Sequence, residues 1–182
     1  MIALDELVLR PMAEGDRDKV LAWRNADHVR RFMYTDHMIS QAEHCEWFKR
    51  VAADPSCEYL IAAFRDMPVG VVNITQINKR HGTCFWGFYI GPRDRPRGVG
   101  ILMEFHAIDR MVDHHGIRKI SCEVIASNAS VTKMHKRFGF EQEGLLRRHI
   151  EKDGRFEDVV RLALLTEKWP AHRARILERL LP

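Results

Sequence analysis

Residues 85–105 read FWGFYIGPRDRPRGVGILMEF, and this stretch decides the fold. It opens with aromatic and β-branched residues typical of a strand, passes through a charged turn with two prolines, and closes on apolar residues at helical spacing. The frame Arg95-x-x-Gly98-x-Gly100 lies where the turn meets the helix. The sequence therefore predicts a strand, a glycine loop and a helix in immediate succession.

The glycine loop has the chemistry of a phosphate site. The first N–H groups of a helix have no partner within it and lie at its positive end, so they attract phosphate oxygens. Gly98 and Gly100 have no Cβ to keep a ligand away from the backbone. The frame lacks both the Gly-Lys-Ser/Thr of a P-loop and the G-x-G-x-x-G of a dinucleotide site. We interpret it as a pyrophosphate seat, with two plain turn glycines as the alternative.

Length and composition exclude several classes of protein. A chain of 182 residues is long enough for one domain with a full core, so we expect a single domain over residues 1–182. No stretch approaches the ~20 apolar residues of a membrane span, and no secretory signal is visible, so we predict a cytoplasmic protein without a membrane partner. The net charge of +4 is spread along the chain, which suits a small anionic ligand better than nucleic acid.

Cysteine and histidine usage favours neither disulfides nor a metal centre. The four cysteines form no C-x-x-C pair and are more typical of small buried groups in a reducing compartment. They are Cys45, Cys57, Cys84 and Cys122. There is no H-E-x-x-H motif, and His114 and His115 are adjacent, so they are not expected to face one site on a helix.

The rest of the chain predicts further strands and helices around the glycine loop. Strand patterns cover residues 4–10, 58–64, 69–78, 83–90 and 117–125, followed by a hairpin over 143–151 and 156–165. Helical patterns cover one or two segments in 17–32, then 40–53, 98–114, 128–138 and 171–181. Ser40 with Glu43 is a capping-box pattern, Gly139 is a helix C-cap, and Asp153-Gly154 is a preferred hairpin turn.

The order of these elements resembles the GNAT superfamily of N-acetyltransferases. The resemblance is carried by the Arg95-x-x-Gly98-x-Gly100 frame and by Asn128, which a Gly-Phe pair follows eleven residues later. It covers nearly the whole chain. It implies an α/β (α+β) fold, the GNAT acyl-CoA N-acyltransferase fold, in which helices flank a mixed, mostly antiparallel twisted sheet. It also implies an acetyl-CoA site and no metal.

The resemblance implies a role for each motif in the coenzyme site. The cofactor-binding residues it indicates are Ile90, Arg95, Arg97, Gly98, Val99, Gly100, Asn128 and His135. The strand that ends at Ile90 would pair with the pantetheine arm like an added strand, and a backbone N–H at a bulged end near Tyr89 would hold the oxyanion. His135 stands where the family often has a tyrosine that protonates the leaving thiolate. A histidine there can donate that proton or can merely pack against the coenzyme.

The N-terminal half resembles, more narrowly, the flagellin-modification acetyltransferases of pseudaminic acid synthesis. Their acceptor is UDP-4-amino-4,6-dideoxy-N-acetyl-β-L-altrosamine. The motifs that carry this resemblance are Trp23-Arg24-Asn25, Met33-Tyr34, Ile39-Ser40 with His44, and residues 73–78 before Gly87-Phe88-Tyr89. On this match the nucleotide-sugar site comprises Arg24, Asn25, Met33, Tyr34, His44, Thr75 and Tyr89. The residues alone leave open that Arg24 is simply a solvated helix residue.

We therefore expect direct attack of a sugar amine on the thioester of acetyl-CoA, with His135, Tyr89 and His44 as candidate catalytic residues. The base that deprotonates the amine is left open among His44, Glu123 and a water relay. One alternative is an N-terminal acetyltransferase of ribosomal proteins, since those enzymes share the Arg-Asn pair and the C-terminal hairpin. The other alternative is a non-catalytic acyl-CoA sensor. The sequence also leaves open a homodimer that uses the last helix.

Overall fold

Seven strands and six helices form in residues 3–180, which are the residues that the computed structural model describes. The strands are β1 (Leu7–Pro11), β2 (Glu58–Phe64), β3 (Met67–Asn78), β4 (Thr83–Ile90), β5 (Lys119–Ile125), β6 (Glu141–Lys152) and β7 (Arg155–Leu165). The helices are α1 (Arg17–Asn25), α2 (Asp27–Arg30), α3 (Gln41–Ala53), α4 (Val99–Asp109), α5 (Ala129–Arg137) and α6 (Trp169–Leu180).

The strands pair into one sheet in the order β1-β2-β3-β4-β5-β7-β6. All neighbours are antiparallel except β4 and β5, which are parallel because the crossover through α4 joins them. The predicted mixed, mostly antiparallel sheet with flanking helices is confirmed. The predicted meander over 58–64, 69–78 and 83–90 corresponds to β2, β3 and β4.

The two parallel strands pair only at their beginning. Pairing between β4 and β5 ends at Phe85, opposite Ser121. Beyond this point β4 continues along β3 to Ile90, whereas β5 continues along β7 to Ile125. A wedge therefore opens in the middle of the sheet, and its two edges carry backbone groups that no neighbouring strand occupies.

The sheet buries a separate apolar cluster on each face. The larger cluster packs α4, α5 and α6 on one face and includes Phe105 and Trp86, which are almost fully buried. The smaller cluster lies under α1 and α3 and includes Val20 and Val71, with Tyr89 packed against it. Because side chains alternate along a strand, β4 presents Trp86 to one face and Tyr89 to the other. The wedge thus connects the two faces of the sheet.

The ends of several elements differ from the sequence prediction. The first strand begins at Leu7, because Leu4–Glu6 forms a 3-10 turn in which the Glu6 carboxylate accepts the Ala3 N–H at 2.7 Å. The predicted helix over 98–114 is α4 continued by a π-helical turn, Arg110–His114. The last helix begins at Trp169, and its predicted end at Leu181 lies outside the described residues.

Local capping and turn predictions are largely confirmed. The Ser40 hydroxyl accepts the Glu43 N–H at 3.2 Å, but the Glu43 carboxylate binds His37 at 3.1 Å instead of closing the capping box. Asp153 and Gly154 both have positive φ, at 49° and 73°, which is the geometry of the preferred hairpin turn.

The sequence predicted four buried cysteines, and two of them are buried. All four are free; Cys84 and Cys122 are buried, whereas Cys45 and Cys57 are partly exposed. No helix in residues 3–180 is long and apolar enough to cross a membrane.

Candidate active site

The wedge between β4 and β5 opens into a cleft of about 850 Å³. Its first wall comes from β4, β5 and α5 with its N-cap, and includes Phe88, Asn128 and His135. Its second wall comes from α1, α2 and α3, and includes Arg24 and His44. The cleft therefore has one half next to the glycine loop and another half under the first three helices.

The free edge of β4 is defined by the direction of its backbone groups. The Gly91 N–H donates to Val69 on β3 at 2.9 Å, while the Gly82 carbonyl accepts from Lys119 at the start of β5. Because this direction alternates along a strand, the N–H groups of Phe88 and Ile90 are directed toward the wedge. They form a strand edge with no neighbouring strand in residues 3–180, and an extended ligand can add to this edge.

The predicted bulge near Tyr89 is not observed, and this corrects the expected oxyanion donor. The β3–β4 register is regular from Gly70 to Thr75 and shifts only between Thr75 and Asn78, at the opposite end of the strand. The Tyr89 N–H is therefore directed toward β3 by the same alternation. Burial raises the pKa of the Tyr89 phenol, so its hydroxyl stays protonated and cannot serve as a base.

The beginning of α4 has the features of an anion site. Gly98 adopts a left-handed conformation, with φ 92°, and caps the helix. The N–H groups of Gly98 and Gly100 have no backbone acceptor in the described part of the chain. Arg95 and Arg97 are exposed beside them. Free N–H donors, the positive helix end and two guanidinium groups together fit a diphosphate.

The predicted cofactor residues lie in two adjacent groups. Ile90, Arg95, Asn128 and His135 line the cleft. The others, Arg97, Gly98, Val99 and Gly100, lie outside the cleft wall at the beginning of α4. Val99 is fully buried and anchors this helix end in the core. Asn128 is the N-cap residue of α5, and its Oδ1 accepts the Ser130 hydroxyl at 3.2 Å.

His135 is held by a carboxylate inside the core. Its ring packs among Trp86, Phe88 and Phe140. Its Nδ1 lies 2.8 Å from Glu104 Oε1, and both side chains are almost fully buried. Burial raises the pKa of the Glu104 carboxyl, against the opposing effect of the nearby His135. Glu104 was not predicted from the sequence, although a single acidic residue in the apolar run ILMEF was a signal for it.

His44 on α3 lies on the second wall with a defined tautomer. Its ring stacks on Trp47, with centroids 4.9 Å apart, and its Nε2 lies 2.9 Å from the Arg17 carbonyl oxygen. Burial lowers the pKa of His44, so the neutral ring is favoured. Nε2 must then carry the proton, because a carbonyl only accepts, and the lone pair is on Nδ1.

Arg24 is a partly buried cation rather than a solvated helix residue. It lines the cleft, and its Nη1 is buried with no hydrogen-bond partner among residues 3–180. Burial lowers the pKa of its guanidinium group. A guanidinium remains charged in proteins, so this open donor favours an anionic group in the second half of the cleft.

Three predicted substrate residues do not line the cleft, whereas Met33 does. The Asn25 amide makes two hydrogen bonds of 2.9 Å with the backbone of Ile39 and so joins α1 to the loop before α3. The Tyr34 hydroxyl donates to Glu123 at 2.7 Å. Thr75 pairs with Phe85 at the closed end of the wedge.

Lys152 fixes the loop that follows α2, and it was not predicted from the sequence. Its side chain is buried, although it lies at the end of β6. Its ammonium group donates to the carbonyl oxygens of Arg30 and Met33, at 3.2 and 2.9 Å. The C-terminal hairpin therefore holds the second wall of the cleft in place.

His114 and His115 do face one site, so the prediction that their adjacency would keep them apart is wrong. Glu58, His114 and His115 each place a potential ligand atom within 4.8 Å of the others. The chain leaves the helix after His114, so helical spacing does not apply to this pair. The Glu58 carboxylate is already bound by Arg110 at 2.5 Å and by His115 at 2.8 Å. Its charge is thus compensated within the protein.

Comparison with known proteins identifies the family. Residues 6–141 match the acetyltransferase (GNAT) domain. The chain belongs to the GNAT acetyltransferase family. It is accordingly an acetyl-CoA-dependent N-acetyltransferase, which confirms the predicted enzyme class and co-substrate.

Several characterised relatives are similar over most of the chain. The spermidine N(1)-acetyltransferase of Vibrio cholerae is 22% identical over 90% of this chain and 95% of its own length. The ribosomal protein uS5-alanine N-acetyltransferase of Escherichia coli is 26% identical over 94% of both chains. The L-amino acid N-acetyltransferase of Escherichia coli is 25% identical over 71% of this chain and 76% of its own length.

Solved structures support the fold. The spermidine N-acetyltransferase of Vibrio cholerae, in complex with CoA and spermine, superposes with a TM-score of 0.86. The alignment covers 91% of this chain and 99% of that chain at 22% identity. A dodecameric form of that enzyme superposes with a TM-score of 0.77 at 21% identity, covering 91% of this chain and 96% of that chain.

Proposed function

We propose that this GNAT enzyme acetylates a primary amine on a small molecule that also carries an anionic group. The specific acceptor we propose is the UDP-linked 4-amino-4,6-dideoxy sugar of pseudaminic acid synthesis, which serves flagellin glycosylation. The observation that carries this proposal is the buried, unpaired Nη1 of Arg24 on the second wall of the cleft. A diphosphate linked to the amino sugar would supply the missing acceptor.

The first half of the cleft suits the co-substrate. Acetyl-CoA supplies an activated acetyl thioester at the end of a long arm that begins at a diphosphate. The open N–H groups at the beginning of α4, with Arg95 and Arg97, would hold that diphosphate. The free edge of β4 at Phe88 and Ile90 would direct the arm into the wedge, toward His135.

The second half of the cleft suits an amine whose carrier is anionic. Arg24 would bind the anionic group, and a charge-assisted hydrogen bond of this kind contributes about 1.5–3 kcal/mol. Glu43, Glu46 and Glu123 also line the cleft and would attract the ammonium form of the amine. The Nδ1 lone pair of His44 is suited to accept the proton that the amine must lose.

A protein N-terminus is the second candidate acceptor. One relative acts on the alanine of ribosomal protein uS5, and it is similar over nearly the whole chain. Spermidine and free amino acids are the acceptors of the other two relatives. None of these three relatives acts on a nucleotide sugar, so the acceptor must be tested directly.

The test measures release of free thiol from acetyl-CoA with four acceptors at matched concentrations. They are the UDP-4-amino sugar, spermidine, an L-amino acid and a peptide with the N-terminus of ribosomal protein uS5. We expect the highest kcat/KM with the UDP-amino sugar. Higher kcat/KM with spermidine or the peptide would overturn the proposed acceptor. Binding of acetyl-CoA without thiol release in any arm would favour a sensor.

An Arg24→Gln variant tests the observation that carries the proposal. Loss of one charge-assisted contact should raise the KM for the UDP-amino sugar about 10-fold or more and leave the KM for acetyl-CoA unchanged. The matched control is Arg31→Gln, because Arg31 is exposed and lies outside the cleft. An equal KM for the sugar in both variants would contradict a role for Arg24.

A further inference from the structure

The buried contact between Glu104 and His135 uses only one of the two carboxylate oxygens of Glu104. Glu104 is the residue on α4 whose carboxylate reaches the core, and its side chain is fully buried. Its Oε1 lies 2.8 Å from His135 Nδ1, and its Oε2 is buried with no hydrogen-bond partner in the part of the chain that the structure describes. A carboxylate placed this way is costly unless its charge is compensated.

The number of protons on the Glu104–His135 pair determines whether His135 Nε2 carries a proton or a lone pair. If the pair is net neutral, either Glu104 is protonated on Oε1 and donates to Nδ1, or Nδ1 is protonated and faces a carboxylate. In both arrangements Nε2 carries a proton. A neutral carboxyl with its proton on Oε2 would leave Nε2 bare, but it is disfavoured because Oε2 is buried with no hydrogen-bond partner in residues 3–180. If the pair instead has a net negative charge, Nδ1 holds the only ring proton and Nε2 is a bare lone pair. Burial disfavours this second, charged state.

The position of the ring makes Nε2 the nitrogen available to a ligand. His135 lines the cleft, and its Nδ1 is occupied by Glu104. Three aromatic rings, those of Trp86, Phe88 and Phe140, hold the imidazole. The ring therefore packs against three aromatic side chains and is held at Nδ1 by the carboxylate.

We propose that Glu104 is a positioning residue that keeps a proton on His135 Nε2 and directs it into the cleft, so that the buried pair supplies the acid of the acetyl transfer. This inference rests on the proposed function, in which His135 lies beside the reacting thioester. The acceptor nitrogen forms a bond to the acetyl carbon and the carbon–sulfur bond breaks. His135 Nε2 gives its proton to the departing sulfur, the acceptor nitrogen releases one proton through His44 to solvent, and the pair regains a proton from solvent.

The other groups that face the pair do not compete for this role. Cys122 approaches from β5, and burial raises the pKa of its thiol, so it remains uncharged. Trp86 approaches from β4, and its indole N–H can only donate. No basic side chain makes an ion pair with Glu104 in the described part of the chain other than His135. The protonation of the pair therefore depends on these two residues.

The first test needs no substrate. Nitrogen-15 NMR of the histidine rings distinguishes a protonated Nε2 from a bare one, and a His135→Gln spectrum assigns the signal. We expect a protonated Nε2 at neutral pH in the ligand-free wild-type protein. A bare Nε2 there would overturn the proposal whatever the acceptor is.

The second test records the same Nε2 signal at neutral pH in Glu104→Gln. A glutamine amide can donate to Nδ1 or accept from it, so part of the ring population should now have a bare Nε2. The matched control is Glu167→Gln, the same chemical change at an exposed glutamate, and it should leave the signal unchanged. Glu104→Asp keeps a carboxyl group and should restore part of the protonated signal. A fully protonated Nε2 in a folded Glu104→Gln protein would refute the inference.

Kinetics then separate this inference from the proposed acceptor. With whichever amine is acetylated, kcat at neutral pH should fall in Glu104→Gln along with the fraction of rings that have a protonated Nε2. The KM for acetyl-CoA should change less than twofold. Loss of the protonated Nε2 with an unchanged kcat would show that the pair exists but does not supply the acid. Failure of the UDP-amino sugar alone would leave the inference on Glu104 intact.

Discussion

A Gly100→Ala substitution should stabilise the protein and weaken its binding of coenzyme A. Gly100 is the second residue of α4, and a Cβ there would meet the Ile90 side chain at 3.5 Å and Met134 and Phe88 at 3.9 Å. These are ordinary contacts, so the fold accepts the methyl group. Alanine is favoured over glycine within a helix by about 0.5–1 kcal/mol. For a chain of this length we expect Tm to rise by about 1–4 °C.

The same methyl group should obstruct the ligand. It would project toward Ile90 and Phe88, which form the free edge of β4, beside the N–H group that we assign to the diphosphate. We expect the dissociation constant of coenzyme A to rise about tenfold, which corresponds to about 1.4 kcal/mol. Isothermal titration calorimetry measures the binding, and thermal unfolding without ligand measures the stability.

Gly15 is the matched control position for Gly100. A Cβ at Gly15 would meet no atom within 4 Å, and Gly15 lies outside the cleft, so Gly15→Ala should leave coenzyme affinity unchanged. If Gly100→Ala raises Tm but keeps the wild-type dissociation constant, the diphosphate does not approach this helix end. The proposed seat at the beginning of α4 would then be rejected.

Two further predictions concern the second wall. Lys152→Met removes the donor to the Arg30 and Met33 carbonyls. This substitution should lower the free energy of unfolding, measured in urea, by about 1–3 kcal/mol. It should also raise the KM for the acceptor and leave the KM for acetyl-CoA unchanged. An unchanged KM for the acceptor would contradict a role of Lys152 in holding the second wall. His44 has a pKa lowered by burial from 6.5, so the unfolded chain takes up its proton first as the pH falls. The stability that the neutral His44 contributes is fully present above the unfolded pKa of 6.5. It is lost as the pH falls from there toward the lower folded pKa, by at most about 1.4 kcal/mol per pH unit. His44→Gln should therefore show a shallower pH dependence of the unfolding free energy between about pH 7 and 5, and an equal slope would refute the assigned burial effect.

Comparison with known proteins supports the enzyme class more strongly than the acceptor. The matched family is an acetyltransferase domain, which agrees with the class expected from the glycine loop and the order of elements. The acceptors of the relatives range from spermidine to a ribosomal protein. On our proposal, acceptor choice depends on a few side chains on the second wall, such as Arg24, which lines the cleft. The sequence does not reveal the surroundings of these side chains.

Local sequence was sufficient for the features that depend on neighbouring residues. The Asp153-Gly154 turn and the Ser40 cap are each set by sterics or hydrogen bonds within a few positions. The strand and helix order followed from the spacing of apolar residues, because burial of one face imposes that spacing. These features identified the fold class and the glycine loop.

Only the tertiary structure decided which side chains meet and where the cleft opens. Strand β4 reads as one continuous strand, and its separation from β5 after Phe85 arises because each strand follows a different neighbour. Glu104 and His135 are 31 positions apart, and Lys152 reaches the Met33 carbonyl across 119 positions. Such contacts form when distant segments are packed together, so no local pattern of propensity or spacing specifies them.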